Sequence, residues 1–409
     1  MKTVGLIAEY NPFHNGHKYH LEQARKLTDA DYVIVVMSGD FTQRGYPAIT
    51  DKFTRAHMAL AEGADLVIEL PAVYATASAQ YFALGAVSIL QQLGCVDAFV
   101  FGSECGDISM LNAISDFLFT EPASYQKLLK EKLAIGLSYP TARIQAVAET
   151  FPKYSKDIHA ILEEPNNILA LEYLQAKRQL GSSIIPYTLK RQGASYHQQS
   201  LSDEFGSASG IRSALLHPGF SVDRLQSQMP CHAFEIFSEK LKQQSPVTAD
   251  DFSSYLCYCL LSERTRLDTI LDIDSFLAKR IGNTLDKYES FTFFADLLKS
   301  KNYTHTRITR ALCHILLHIT TQEMELYKEK GISFYGKVLG FQKSAAPLLK
   351  AIKTNSSIPL LTKLSDHASL LDDTGTAMLA KDLYASKLYH SVEKKGMAYN
   401  EYATPLIIL

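Results

Sequence analysis

Four continuous apolar runs in the first quarter of the chain constrain the fold more than any other feature of the sequence. Apolar residues that run on without alternation are typical of parallel strands buried on both faces of a sheet. Short polar loops and segments of helical spacing separate the runs, and this rhythm predicts a doubly wound α/β domain. The predicted strands lie at residues 4–8, 31–39, 64–71 and 98–103.

Composition and charge limit the class of protein. The chain has 409 residues, 46% of them hydrophobic and 21% charged, which suggests two or three globular domains. A formal net charge of −2 excludes a globally basic surface for nucleic acid, so any such site must be a local patch. Six cysteines without a CxxC pair favour free thiols in a reducing compartment. No segment has the pattern of a signal peptide or a membrane helix, so we expect a cytoplasmic protein.

The alternation of strands and helices stops after Pro218. Residues 1–219 are predicted to form a Rossmann-like nucleotide-binding domain with a parallel sheet and a helical insertion at about 108–160. A further predicted strand at 183–189 and a helix that begins near 207–212 belong to the same domain. Residues 220–409 have helical periodicity and predict a mainly α-helical second domain.

Residues 11–18, which follow the first predicted strand, carry the strongest local signal. The strand ends at an Asn-Pro pair and the pattern then becomes helical, so a helix N-terminus suited to anions faces the carboxyl edge of the sheet. His14 and His17 could both point there and stabilise charge on a phosphate as pyrophosphate leaves, while Gly16 lets phosphates approach the backbone. Two alternatives are a histidine pair that only caps the helix, and a zinc site, for which a third ligand at helical spacing is missing.

The segment VGLIAEYNPFHNGH, at residues 4–17, resembles the HxGH signature of the nucleotidyltransferase superfamily, whose members act by attack at an α-phosphate. The second signature of that superfamily resembles ISSTxIR, and GSASGIR at residues 206–212 is a degraded match. The Ile-Arg pair is retained and Ser209 supplies a hydroxyl where the family has Thr, but glycine and alanine replace Ile and Ser. The resemblance implies an HxGH nucleotidyltransferase fold for the first domain.

Further motifs resemble the tRNA(Met) cytidine acetate ligase family over nearly the whole chain. In order, they are SGDFTQRG, GADLVIELP, FGSE, EEPNNILALEYL, LKRQGASYH and NEYATP. The resemblance implies an ATP-dependent ligase that activates acetate as acetyl-adenylate and releases pyrophosphate and AMP. The acetyl group would pass to the N4 amine of the wobble cytidine of elongator tRNA(Met), which gives N4-acetylcytidine. It also implies ATP as a substrate and Mg²⁺ as the cation that neutralises the triphosphate, without naming metal ligands.

The same resemblance assigns the expected ATP site by residue. Asparagine can bind an adenine or ribose edge, and arginine can grip phosphates with its guanidinium. Taken alone, Asn167 could also be a helix N-cap and Arg191 a surface charge. The expected ATP-binding residues are Ile7, Ala8, Glu9, Tyr10, Asn11, Pro12, Phe13, His14, Asn15, Gly16, His17, Lys18, Tyr19, His20, Gly102, Asn167, Arg191, Gln192 and Arg212.

The loop after the second strand is unusually polar for a connection in a buried sheet. Gln43 and Arg44 are the expected substrate-binding residues, for acetate or for the incoming cytidine. Asp40 is the third predicted catalytic residue after His14 and His17, because it could orient a histidine or accept a proton from the N4 amine. The alternative is that Asp40 caps the turn and pairs with Arg44.

A basic segment in the helical half is the best candidate for RNA contact. Two arginines and two histidines at i+3 or i+4 spacing, from Arg307 to His318, share one predicted helix face. Such a stripe could follow a phosphate backbone with a base stacked on the nearby tyrosine, although an ordinary solvated face has the same pattern. The expected tRNA-binding residues are Lys299, Lys301, Tyr303, Arg307 and Arg310.

Two other functions are compatible with parts of this pattern. One is an adenylyltransferase that leaves AMP on a small phosphorylated cofactor precursor, although such an enzyme has no need of the long helical half. The other is a non-catalytic nucleotide-sensing protein that binds RNA, against which the presence of both His14 and His17 argues.

Overall fold

A mostly parallel sheet organises the chain in the computed structural model, which describes residues 1–154, 157–191, 207–393 and 398–409. Within these ranges the sheet has the strand order β5-β4-β1-β2-β3-β6-β7, and β8 pairs with β6. The first five strands run parallel, whereas β6 lies antiparallel to β3. The strands are Thr3–Ala8 (β1), Tyr32–Ser38 (β2), Leu66–Leu70 (β3), Ala98–Ser103 (β4), Ile185–Lys190 (β5), Gly336–Phe341 (β6), Leu360–Leu361 (β7) and Ile407–Ile408 (β8).

The parallel part of the sheet confirms the predicted α/β class. The order of β1 to β5 reverses between β1 and β4, because the chain winds outwards through β2 and β3 and then returns to the other side of β1. Such a reversal leaves a crevice at the carboxyl ends of the two central strands. The fold therefore places the predicted site, after β1, beside the end of β4.

Strand β6 comes from the helical half and was not predicted from the sequence. Its sequence, GKVLGF, contains a lysine and two glycines that interrupt the apolar pattern of a buried strand. The division at residue 219 stays a prediction, since the sheet takes strands from both sides of it.

In the first half of the chain, helices pack against the sheet and also form the insertion. Close packing requires small residues at several points; a side chain at Gly5 of β1, for example, would collide with Leu90. The helices are Asn15–Thr28 (α1), Lys52–Ala61 (α2), Ala72–Ala75 (α3), Ala79–Gln92 (α4), Ile108–Thr120 (α5), Ala123–Ala134 (α6), Tyr139–Thr150 (α7), Ile158–Glu163 (α8), Pro165–Gln179 (α9) and Ala208–Leu215 (α10). The predicted insertion corresponds to α5 to α8.

The second half is mainly α-helical, as predicted. Its helices are Cys231–Gln243 (α11), Ser253–Ser262 (α12), Ser275–Thr284 (α13), Phe291–Leu298 (α14), His305–Leu317 (α15), Thr321–Lys330 (α16), Ala346–Asn355 (α17), His367–Leu370 (α18) and Asp373–Ser391 (α19). α15 is buried along most of its length and packs against α12, α14 and α19, so it is the core helix of this half. Across the described ranges, no helix combines the length and the apolar character needed to cross a membrane.

A buried ionic cluster of Asp40, Lys52, Glu69, Lys337 and Glu401 joins the two halves beneath the sheet edge. Lys52 Nζ lies 3.0 Å from Glu69 Oε1 and 2.7 Å from Glu401 Oε1. Lys337 Nζ lies 2.8 Å from Glu69 Oε2 and 2.5 Å from Glu401 Oε1. Burial raises the pKa of Glu401, but the two lysines outweigh it and hold this pKa at about 2. The cluster therefore fixes the last segment of the chain to β3 and α2.

Candidate active site

An open cleft of about 700 Å³ lies at the carboxyl edge of the sheet, where the strand order reverses. One wall is formed by the turn after β1 together with Gly102 of β4 and the end of β5. The opposite wall is formed by the loop after β2 and by residues of the helical half. A cleft of this size is in the range that holds a cofactor or a drug-sized ligand.

His14 and His17 are held by the first turn of α1. His14 Nδ1 accepts a hydrogen bond of 3.0 Å from Gly16 N–H, and His17 Nδ1 accepts one of 3.3 Å from His14 N–H. The two rings stack with their centroids 3.7 Å apart. Because each Nδ1 is an acceptor, each ring carries its proton on Nε2, which is left as a donor for a ligand in the cleft. The rings therefore cap the helix and also remain available to bind.

The backbone of this turn departs from the sequence prediction of an open helix N-terminus. Asn15 N–H donates to the carbonyl of Gln228, and His17 N–H donates to that of His14. With Gly16 N–H bound to the His14 ring, the first N–H groups of α1 already have partners. An anion in the cleft must therefore be bound by side chains at this turn rather than by its backbone.

Burial keeps the histidines of the turn neutral. It lowers the pKa of His14 to about 3, with a further contribution from Arg191 and Arg212. It also lowers the pKa of His20 to about 4 and that of His17 well below the usual value. At neutral pH these rings therefore donate hydrogen bonds without carrying charge, and any charge on a bound phosphate is balanced by the arginines.

The predicted stretch from Ile7 to His20 does not line the cleft throughout. Phe13 is fully buried in the core and Pro12 is also buried, Asn15 Nδ2 donates to the carbonyl of Ser227, and Lys18 pairs with Glu62 at 2.9 Å. The burial of Phe13 and Pro12 corrects their assignment as ligand contacts, whereas the roles of Asn15 and Lys18 stay predictions. The residues of the stretch that do line it are Ile7, Ala8, Glu9, Tyr10, Asn11, His14, Gly16, His17, Tyr19 and His20.

Two polar atoms in this wall are buried without a partner among the described residues. They are Tyr10 Oη and His20 Nε2. A buried polar group without a hydrogen bond costs about 1–3 kcal/mol, so such atoms beside a cleft indicate a ligand that supplies the missing partner.

The loop from β4 and the start of α9 contribute an asparagine, but not the one predicted. Asn167 is buried, and its Oδ1 accepts from the N–H groups of Glu104 and Cys105 at 3.0 and 3.1 Å. Its neighbour Asn166 lines the cleft, and its Oδ1 lies 3.3 Å from Arg191 Nη1. Asn167 therefore positions the loop, and Asn166 takes the place in the cleft that was assigned to Asn167.

Arginines and hydroxyls from β5 and α10 complete this wall. Arg191 and Gly102 line the cleft, as do Ser207 and Ser209 of the second signature. Arg212 Nη1 donates to the carbonyl of Asn11 at 2.6 Å, which ties α10 to the histidine turn. Two residues discussed from the sequence, Gln192 and Gly206, lie outside the described residues.

Gln43 and Arg44, the predicted substrate-binding residues, line the opposite wall. Gln43 N–H donates to Glu9 Oε1 at 2.7 Å, so this loop contacts the turn after β1 directly. The carbonyl of Arg44 accepts from the hydroxyl of Thr309 at 2.7 Å. Gly45 follows with a φ of +74°, and a Cβ at this position would collide with the backbone of α15. The core helix of the second half thus supports this wall of the cleft.

Asp40 does not reach the cleft, which corrects its assignment as a catalytic residue. Its Oδ1 accepts from Lys52 N–H at 2.8 Å, and its Oδ2 accepts from the hydroxyl of Ser386 at 2.7 Å. The side chain is almost fully buried beside Lys52. Asp40 is therefore structural, and its partner is Lys52 rather than the Arg44 of the alternative interpretation.

The predicted basic stripe on α15 is largely engaged by acidic and backbone partners within the protein. Arg310 is bound to Asp272 at 2.8 Å, and Arg307 to Asp274 at 2.9 Å. His314 is fully buried, with its two ring nitrogens bonded to the carbonyls of Leu271 and Thr76.

The remaining members of the predicted tRNA-binding set differ in exposure. Tyr303 donates its hydroxyl to Asp274 and stacks against Arg307, so it belongs to the same network of partly exposed side chains. Lys299 and Lys301 are exposed, and Lys301 Nζ donates to the carbonyl of Gly136 at 3.2 Å.

A second group of cleft residues was missed by the sequence analysis. We call Tyr46, Pro47, Ile49, Val247 and Ala249 the apolar lobe, since these mostly apolar residues line the cleft and Val247 N–H donates to the Ile49 carbonyl at 3.2 Å. Residues from the loop after β2 and from the start of the helical half meet here only in the folded chain. No local motif marks them, so only long-range contacts in the structure could have identified them.

The fold and the site define a class of enzyme. A parallel sheet with two neutral histidines at its switch point, flanked by two arginines, is an arrangement for nucleotidyl transfer without a protein nucleophile. In agreement, the model of the HIGH nucleotidyl transferase family matches residues 1–403.

Full-length relatives narrow this class. The tRNA(Met) cytidine acetate ligase of Thermoanaerobacter pseudethanolicus is 42% identical over 411 residues, which cover 100% of both chains. That of Acetivibrio thermocellus is 41% identical over 398 residues, which cover 95% of this chain and 94% of the relative. The chain belongs to the tRNA(Met) cytidine acetate ligase family and is, as predicted, a ligase.

Solved structures agree with this family. The crystal structure of TmcAL from Thermotoga maritima in its apo form I is 32% identical, covers 100% of both chains and has a TM-score of 0.94. A second crystal structure of that protein, bound with alpha-thio ATP, has a TM-score of 0.92 at the same identity and coverage.

Proposed function

We propose that the protein activates acetate with ATP and transfers the acetyl group to the N4 amine of the wobble cytidine of elongator tRNA(Met). One observation carries the proposal: His14 and His17 present their Nε2–H groups at the switch point of the sheet. The alpha-thio ATP bound by the relative from Thermotoga maritima supports a nucleotide in this cleft.

The cleft suggests how ATP is held. Arg191 and Arg212 flank the histidine turn, and both contribute to the lowered pKa of His14, so their charges are close to it. The guanidinium groups would bind the phosphates, and the unpartnered Tyr10 Oη and His20 Nε2 would find partners on the nucleotide. The described residues contain no group of three or more His, Cys, Asp or Glu suited to a metal. Mg²⁺ would accordingly enter with the triphosphate, as part of the substrate.

In the first step an acetate oxygen attacks the α-phosphate and pyrophosphate leaves. His14 and His17 would donate to the oxygens on which negative charge builds, and positioning supplies the rest of the catalysis. Gln43 and Arg44, on the opposite wall, would hold the acetate carboxylate. In the second step the cytidine amine attacks the acetyl carbon, and AMP leaves.

Recognition of the tRNA is assigned to the helical half. The exposed Lys299 and Lys301 are the candidates for phosphate contact, while Arg307, Arg310 and Tyr303 are engaged with acidic partners. A tRNA substrate would place the enzyme in the cytoplasm, in keeping with the free cysteines among the described residues.

The test is an assay with ATP and labelled acetate, with and without tRNA. Acetate-dependent exchange of pyrophosphate into ATP without RNA, followed by label in tRNA(Met) and release of AMP, would support both steps. AMP retained on a small phosphorylated acceptor would instead support the adenylyltransferase alternative. Nucleotide binding without any turnover would contradict both enzymatic functions.

A further inference from the structure

The cleft contains two carboxylates among the residues that the structure describes, Glu9 and Asp250. Both oxygens of Asp250 are occupied by one neighbour. Oδ1 accepts from Thr292 N–H at 2.8 Å, and Oδ2 accepts from the Thr292 hydroxyl at 2.7 Å. Asp250 therefore serves as an N-terminal clamp for α14 and is not a group with a free oxygen.

Glu9 is held in a different way. Its Oε1 accepts from Gln43 N–H at 2.7 Å, while its Oε2 has no hydrogen-bond partner within the described part of the chain. Its backbone is fixed as well, because the fully buried Arg55 donates to the Glu9 carbonyl at 2.7 Å and to the Ser38 carbonyl at 3.0 Å. The carboxylate is thus rigid, with one oxygen anchored and the other available.

Glu9 also lies where the two walls of the cleft meet. Tyr10, the next residue, packs its ring 4.8 Å from that of His17, in the histidine turn. Gln43, the hydrogen-bond partner of Glu9, belongs to the loop that continues into Tyr46 of the apolar lobe. Glu9 therefore lies between the histidine turn and the loop that leads to the apolar lobe.

Acyl transfer to an amine requires a proton acceptor that His14 and His17 do not provide, and burial lowers the pKa of His20 to about 4. Each Nδ1 of His14 and His17 already accepts a backbone N–H, and each Nε2 carries the ring proton. A further proton would place positive charge on a buried ring beside Arg191. The arginines of the cleft are permanently charged and cannot accept a proton either.

We propose that Glu9 accepts the proton of the RNA amine during acyl transfer, a role that rests on the function proposed above. The amine nitrogen forms a bond to the acetyl carbon, and the bond from that carbon to the phosphate oxygen breaks. AMP leaves with the electron pair, and the proton lost by the nitrogen passes to Glu9 Oε2. The assignment goes beyond contact with ATP, since it gives this side chain a function in the second half of the reaction only.

The substitution Glu9→Gln tests this role without disturbing the loop. Glutamine keeps an oxygen that can accept from Gln43 N–H, but it cannot accept a proton. We expect single-turnover transfer of acetyl to tRNA to fall by about 100-fold or more, and acetate-dependent pyrophosphate exchange to fall by far less. Glu22→Gln, at an exposed position on α1 outside the cleft, is the matched control and should change neither rate.

The difference between exchange and transfer separates a proton acceptor from a merely structural carboxylate, because loss of a structural contact at the meeting of the two walls would lower both rates. Wild-type transfer by Glu9→Gln would overturn the proposal, with AMP or water then taking the proton. An equal loss of exchange and transfer would also overturn it, by assigning Glu9 to the nucleotide or its Mg²⁺. Exchange without transfer in the wild-type enzyme would instead contradict the proposed function itself.

Discussion

His14 and Lys52 lie on successive connections of the same sheet edge, and both are nearly inaccessible, with exposed fractions of 7% and 0%. The ammonium group of Lys52 is surrounded by the carboxylates of Asp40, Glu69 and Glu401, so it is not available to a ligand. His14 uses one ring nitrogen to hold the turn and presents the other towards a cleft. Both the ionic cluster and the histidine turn therefore contain a buried polar residue. They differ in whether all the hydrogen-bonding groups of that residue are used within the protein.

The face of α15 belongs with the buried ionic cluster in this comparison. Arg310 and His314 looked like a surface for RNA in the sequence, but both are engaged with the loop that contains Leu271 and Asp272. Cations at helical spacing therefore indicate a binding surface only where no acidic residue from another element faces them.

Breaking the buried ionic cluster should have the largest effect, and on stability. Lys52→Met leaves Glu69, Glu401 and Asp40 short of a cation, and removing one partner of a buried pair costs about 3–5 kcal/mol. Urea unfolding measures the change. The double variant with Glu401→Gln should recover part of the loss, and pyrophosphate exchange per folded molecule should fall far less than in the histidine variants below. Unchanged stability would show that the cluster is not needed to hold the two halves together.

Changing the histidine turn should instead lower activity much more than stability. His14→Ala or His17→Ala removes a preorganised donor, and loss of one such donor lowers the rate of a chemical step by about 10²–10³-fold. Acetate-dependent pyrophosphate exchange should fall by this factor, while binding of tRNA is retained. His159→Ala is the control, because this histidine is 57% exposed in the insertion. Exchange at the normal rate in either variant would remove the turn from the activation step.

Variants of the α15 face should have a smaller effect, and they test which basic residues bind tRNA. Arg310→Ala should lower the free energy of unfolding by about 2 kcal/mol, because a charged hydrogen bond to Asp272 is lost. Its affinity for tRNA should not change. Lys299→Ala with Lys301→Ala should have the reverse effect, with weaker binding and a salt dependence reduced by about one unit of slope per phosphate contact. If Arg310→Ala instead weakens tRNA binding at unchanged stability, the original prediction that this helix face contacts RNA is supported.

The smallest expected effect is the near absence of a pH response in the activation step. An ordinary histidine titrates near pH 6.5, but burial lowers the pKa of His14 to about 3 and that of His20 to about 4. Since the rings stay neutral above these values, pyrophosphate exchange at saturating acetate should be nearly constant as the pH falls from 8 through 6.5. A clear loss of exchange centred near pH 6.5 would show that these rings are solvated in the working enzyme.

Local patterns in the sequence predicted what depends on neighbouring residues. The strands β1 to β5 follow from short apolar runs, and the histidine turn from its place between a strand and a helix. The direction in which a side chain points was harder to predict. Asn166 and Asn167 are adjacent, yet Asn166 lines the cleft and Asn167 is buried beneath the loop after β4. Asp40 was misassigned for the same reason, because its partners Lys52 and Ser386 lie on elements that the sequence does not place next to it.

The apolar lobe and β6 show what only the folded chain reveals. Val247 and Ala249 reach the cleft from the beginning of the helical half, about 200 residues after Tyr46, and no spacing rule connects such distant positions. β6 joins the sheet because the chain of the helical half returns to the open edge at β3. Its own sequence, GKVLGF, does not have the pattern of a buried strand.

The antiparallel pairing of β6 with β3 means that the nucleotide-binding half is not a self-sufficient module. A chain that ends at residue 219 would leave β3 as an open edge, with the unpaired N–H and C=O groups that promote aggregation. It would also leave Glu69 and Lys52 buried without the partners that Lys337 and Glu401 provide. The two halves of the chain therefore depend on each other for stability, and both contribute residues to the cleft.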